Sequence, residues 1–152
     1  MKSDVVPIEI RGILPVNTGC AIFVGTGEKV FVIQVDHNMG QIIGSFLRDA
    51  TKERPLTHDL MNQVFDAFGI SVERAVITEL RNSTYYARLI LQQQNELGRK
   101  LVEVDARPSD CLALATAQKK PVYVTKKLFE QVEDMSEALA RINEATDESE
   151  QP

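Results

Sequence analysis

The chain is short of cysteine, of excess base and of long apolar runs, and each shortage removes a class of protein. Two cysteines in 152 residues, Cys20 and Cys111, make no disulfide framework. A reducing, cytoplasmic setting is the expectation that follows. No apolar run approaches the ~20 residues that a membrane-spanning helix needs, and Met1-Lys2-Ser3-Asp4 opens no signal-like apolar segment, so no membrane partner is expected. Net charge is −5, and Glu144, Asp147, Glu148 and Glu150 carry most of it, leaving a body near −1. Such a body lacks the broad basic face of a nucleic-acid binder that works by charge alone. Lys119, Lys120, Lys126 and Lys127 cluster in sequence and read as solvated surface. No HExxH, EF-hand loop or repeat of solenoid period occurs.

What is present describes a globular chain. Apolar residues are 43% and charged residues 26%, at a length that suits one domain with a real core. The expectation is an α+β fold, with a mixed, mainly antiparallel sheet and packed helices. The body should span 1–132, a C-terminal helix 133–143, and a disordered acidic tail 144–152.

The segment Leu101 to Val124 organises the chain. Leu101, Val102 and Val104 suit a buried strand. Pro108 fits the first helical position, where a missing N–H costs nothing. Ser109 and Asp110 fall in the first turn, beside free N–H groups and the positive helix end. Cys111 to Ala117 is almost wholly apolar, so this helix is buried. Val122 to Val124 forms the next strand.

Elsewhere, alternation over Val5 to Val16 predicts a strand that Pro7 pushes to an edge or a late start. Strands follow at 20–24 and 29–35, joined by Gly25-Thr26-Gly27-Glu28, which reads as a hairpin turn and not as a phosphate loop. Helices are expected over 38–50 and from an N-cap at Thr57 to a C′ glycine at Gly69. In the first, Gly40 and Gly44 suggest close approach of a neighbour. In the second, Leu60, Met61, Val64, Phe65 and Phe68 form the expected buried stripe, with His58, Asn62 and Asp66 on a solvated face. Ser71 to Gln94 reads as a hairpin turning at Asn82-Ser83, and Gln92 to Gly98 turns back into the organising segment. Thr125 caps a short helix to Val132, and Ser136 starts a last helix to about Ile142.

Three blocks then carry a resemblance: Arg54-Pro55-Leu56-Thr57-His58-Asp59-Leu60, Thr84-Tyr85-Tyr86-Ala87-Arg88-Leu89, and Asp105-Ala106-Arg107-Pro108-Ser109-Asp110-Cys111. In this order and spacing, from about Val5 to Val132, the chain resembles the bifunctional nuclease (DNase/RNase) domain family. The resemblance implies a compact α+β domain, a homo-oligomer, and phosphodiester hydrolysis on DNA and RNA as in plant members. The chain departs from the family at Gln34 to Gln41, where an aromatic-Ile-Gly run and a Glu-Ala pair are usual.

The chemistry of phosphodiester hydrolysis asks for charge stabilisation and an activated water, both of which a carboxylate-held divalent metal supplies. Asp59, Asp105 and Asp110 are the candidate ligands, for magnesium or manganese. Arg107 could grip phosphate with two hydrogen bonds, His58 could move a proton near neutral pH, and Ser109 could donate at a helix start. Thr57, Asp59, Ser109 and Asp110 also satisfy helix-capping rules with no chemistry at all, and Arg107 could simply pair with Asp105 or Asp110 across the turn. A non-catalytic ligand- or protein-binding module and an oligomeric scaffold therefore stand beside the nuclease as readings.

Overall fold

The computed structural model describes residues 4–150. In chain order the elements are β1 (Val5–Val16), β2 (Gly19–Gly25), β3 (Val30–Val35), α1 (His37–Leu47), α2 (Thr57–Ala67), β4 (Ile70–Arg81), β5 (Thr84–Asn95), β6 (Gly98–Ala106), α3 (Pro108–Gln118), β7 (Val122–Thr125), α4 (Lys126–Gln131) and α5 (Ser136–Glu150). The strands make one seven-stranded sheet in the order β3-β2-β1-β7-β4-β5-β6. All neighbours are antiparallel except β4 and β7, so the expected mixed, mainly antiparallel α+β fold is what forms.

Alternation along β2 sorts the core. Cys20, Ile22 and Val24 face the main core, with Ile43 of α1 and Leu112 and Leu114 of α3. Ala21 and Phe23 face the other way, onto Met135, Leu139 and Ile142 around α5. β2 is therefore buried along its whole length. α3 is covered as its sequence requires: Cys111 to Ala115 are essentially inaccessible. Burial pushes the Cys111 thiol up to about 12, which makes it an inert core group.

Four expectations change. β1 lies inside the sheet, yet Pro7 pairs only with Tyr123 of β7, because β2 joins from Glu9 onward, so the missing N–H faces no neighbour. β6 is an edge strand, exposed from Gly98 through Asp105, and not the buried strand that its apolar run suggested. On α2, Met61 and Phe65 pack inward while Leu60, Val64 and Phe68 face solvent. Finally, α5 continues through 144–150, part of the segment expected as a disordered tail, since alanine and glutamate there favour helix. Residues 151–152 lie outside the described residues.

Candidate functional site

The site forms where α2 and α3 begin. Asp59 and Asp110 occupy the same position in their helices, the third residue after the N-cap. They do different work. The N-cap of α2 is Leu56, not Thr57, and the Leu56 N–H donates to Asp59 Oδ2 at 2.9 Å. Lys52 Nζ donates to the other oxygen at 3.0 Å. Burial alone would raise the Asp59 carboxyl, but these two donors hold it below its ordinary value. Asp59 is thus consumed locally.

Asp110 instead reaches across to other residues. Arg107, the N-cap residue of α3, donates Nε to Asp110 Oδ2 at 2.9 Å and Nη2 to Oδ1 at 3.3 Å. His58 Nε2 lies 2.9 Å from the same Oδ1. Burial pushes the Asp110 carboxyl up, and the hydrogen bonds from Arg107 and His58 more than reverse this, leaving it below the usual carboxylate range. The carboxylate raises the Arg107 guanidinium in turn. An ionised Asp110 can only accept, so His58 Nε2 carries the proton.

His58 is only 6% exposed. Its Nδ1 is buried and has no hydrogen-bond partner among the described residues. The expected solvated row on α2 is the face that docks on α3. His58 meets Asp110, and Asn62 Oδ1 accepts from Gln118 Nε2 at 2.9 Å, while only Asp66 remains exposed. Gln118 Oε1 accepts from the Val72 N–H at 2.8 Å, which ties both helices to β4. Nothing in the spacing of Gln118 announced that role.

A cleft of about 700 Å³ opens beside this triad, lined by His58, Arg107, Asp110 and Asp105 and floored by Met61, Phe65, Leu89 and Val104. Asp105 makes no hydrogen bond or ion pair among the described residues, although its charge acts on the Cys111 thiol. Ser109 lies outside this cleft. It lines a second one, of about 580 Å³, with Asp36 and Gln34, and Arg107, Thr84 and Tyr85 border both. Asp36 adds a second negative charge near Arg107, besides accepting from the Met39 N–H at 2.7 Å as the N-cap of α1. A third concavity, of about 830 Å³, lies at the far end of α3 and holds none of these residues.

Of the six sequence candidates, then, His58, Arg107 and Asp110 are in direct contact, Asp105 is at the same cleft, Ser109 is next door and Asp59 is apart. The three carboxylates do not form a common cage. Among the described residues, no group of three or more His, Cys, Asp or Glu side chains is placed to hold one metal ion. The donor set does not fit the divalent ion expected from three aspartates.

The matching family model is the bifunctional nuclease domain, over residues 22–137. The chain belongs to the bifunctional nuclease domain family. It is 30% identical over 105 residues to an uncharacterized protein of Mycobacterium tuberculosis, a match covering 69% of this chain and 60% of that protein. It is 29% identical over 83 residues to bifunctional nuclease 1 of rice, Oryza sativa, covering 54% of this chain and 24% of the rice protein. The match therefore spans about a quarter of the plant relative's length. The family match covers the whole triad and both clefts. Among the described residues, no helix is long and apolar enough to cross a membrane.

Proposed function

We propose that this domain cleaves phosphodiester bonds of DNA and RNA at the His58–Asp110–Arg107 cleft. The observation that carries the reading is the unpaired His58 Nδ1. Asp110 fixes the ring tautomer through Nε2, which leaves Nδ1 as the nitrogen able to accept a proton. The Asp110 carboxylate would then stabilise the imidazolium that forms, as in other carboxylate–histidine pairs. Arg107 uses Nε and Nη2 on Asp110, so its Nη1 is the part left to meet a phosphate oxygen at the cleft mouth. The Arg107 side chain is 69% exposed, which keeps it reachable. The family membership supports the same substrate class.

The test uses purified full chain and end-labelled single-stranded and duplex DNA and RNA, with magnesium, with manganese and with chelator. The expected result is cleavage that falls by roughly 10²–10⁴-fold in His58→Ala, the range for a lost acid–base group. Arg107→Ala should weaken substrate binding as well as rate. A chain inert toward all four substrates under all three conditions, or one whose activity survives His58→Ala, removes this reading.

A further inference from the structure

The cleft beside α2 has an apolar floor. α2 rests on β4, and α3 on β4 and β5, so the helix-side face of β6 stays open. Val104 lies opposite Leu89 in the β5–β6 register, so both side chains point to the helix side of the sheet, where Val104 is 39% exposed. Met61 and Phe65 of α2, Leu91 of β5 and Leu114 of α3 line the same space. The side chains of these six residues hold only carbon, hydrogen and sulfur. The volume, about 700 Å³, is that of a small-molecule site, for which ~300–1,000 Å³ is usual.

Charge does not equip this cleft to hold a polyanion. Arg107 is the one lysine or arginine among the described residues that line it, and two of its nitrogens are already spent on Asp110. With Asp105 and Asp110 counted, the lining is net negative. Binding through phosphates needs a cation for each phosphate neutralised. The attraction that remains is apolar, and the apolar part of a nucleotide is the face of its base. In a duplex both faces of a base are covered by stacked neighbours, so only an unpaired nucleotide offers one at little cost.

We infer that the floor of this cleft seats the base of an unpaired nucleotide, next to the phosphate that Arg107 meets. The substrates of the site are then single strands, loops and bulges, held by a base and not by backbone charge. The floor presents no donor or acceptor to a base edge, so the four bases should bind nearly alike, as on other stacking surfaces. The inference rests on the proposed cleavage site for where the phosphate lies, but base binding can be read without any cleavage.

Binding and cutting are therefore measured apart. For binding, His58→Ala, which should hold substrate without cutting it, is titrated by fluorescence anisotropy with a duplex carrying one bulged nucleotide, with the fully paired duplex, and with the same bulge made abasic. The bulged strand should bind at least about tenfold tighter than either of the others, the scale of one base contact. On a log–log plot its affinity should fall with salt at a slope no steeper than about −1.5, which is one or two phosphates at ~0.7 each. For cutting, the unaltered chain should cleave at the bulge, and the abasic bulge should lower kcat/KM about tenfold. Val104→Trp, which fills the floor from an exposed strand, should raise KM for the normal bulge at least about tenfold and add nothing to the loss at the abasic one. The abasic comparison needs no variant, so it decides even if Val104→Trp does not fold. Base-dependent binding without any cutting would end the nuclease reading and leave this inference standing. Equal cutting of paired and bulged strands, an abasic bulge handled like a normal one, or additive losses from Val104→Trp and the abasic site would overturn the inference and leave the nuclease. Absence of binding to every strand would overturn it as well.

Discussion

β2 and β6 belong to one sheet and both carry aliphatic residues, yet one is buried from end to end and the other is open for almost its whole length. Around β2 the chain supplies cover on both faces, α1 and α3 on one and α5 on the other, and then caps the start of the neighbouring edge, at Val30, with Asp134 and Met135. Around β6 the helices lie further in, α2 on β4 and α3 on β4 and β5, a cleft opens beside α2, and the edge is unpaired among the described residues. The difference teaches where each task sits. The β1–β3 end holds the fold together, whereas the β4–β6 end carries the His58–Asp110–Arg107 cleft. Polar groups that need access can be placed only where packing is incomplete.

If that division is right, removing bulk at the two ends should have unequal effects. Phe31 is 1% exposed and packs its ring against Tyr85 and Phe129. Phe31→Ala is expected to lower unfolding free energy by about 3–5 kcal/mol in urea titration. Leu97→Ser, at the opposite end, should change the stability of the single chain by less than about 0.5 kcal/mol. Comparable losses at both sites would erase the comparison.

A smaller effect tests the close packing at the β2 end. Gly40 of α1 lies against Cys20, and a Cβ built at Gly40 would fall 2.7 Å from Cys20 Cβ. Gly40→Ala should therefore cost about 1–3 kcal/mol, although alanine ordinarily favours a helix. Cys20→Ala should restore only part of the loss, because it removes Cys20 Sγ, the nearest atom, and leaves Cys20 Cβ in place. A neutral or stabilising Gly40→Ala would show that α1 can lift from β2.

The sequence-level reading succeeded where local rules decide and failed where direction does. Pro108, the acids of the first turns and the apolar run of α3 identify a buried helix start, and that is what forms. Gly69, at φ 70°, takes the left-handed C′ position expected of it, and Asn82 and Ser83, at φ 50° and 64°, make the expected hairpin turn. Apolar periodicity, however, states only that a face seeks cover, not what covers it. Leu101, Val102 and Val104 read as core and are edge, and Leu60 and Val64 read as core and are surface. α2 is apolar toward the sheet and apolar again on its outer side, so no single stripe could be assigned correctly. The same limit governs the site. Asp59 and Asp110 are indistinguishable as third helical residues. What separates them is a lysine seven residues before the first and an arginine three before the second, together with the docking of α2 on α3. Asp36, Gln118 and Lys52, all central to the observed network, carry no motif that would have singled them out.

Acid titration compares the two ends most gently. Asp110 at the open end and Asp134 at the sealed edge both hold folded-state carboxyls below the ordinary value of 3.8. For Asp110 burial acts upward and the Arg107 and His58 bonds act downward, whereas for Asp134 the leading cause is its bond to Ser136. A lowered folded-state value means that the unfolded chain binds the proton first as pH falls. The stability each contributes is therefore present above about pH 4 and lost below it, as pH drops through the folded-state value. Asp110 is partly exposed, so solvent screening limits its share to about 1 kcal/mol or less. Asp110→Asn should flatten the fall in melting temperature between pH 4 and 2, and Asp134→Asn should flatten it less, because its carboxylate is fully open to solvent screening. If Asp134→Asn flattened the curve more, the sealed edge and not the open cleft would hold the stronger charge coupling.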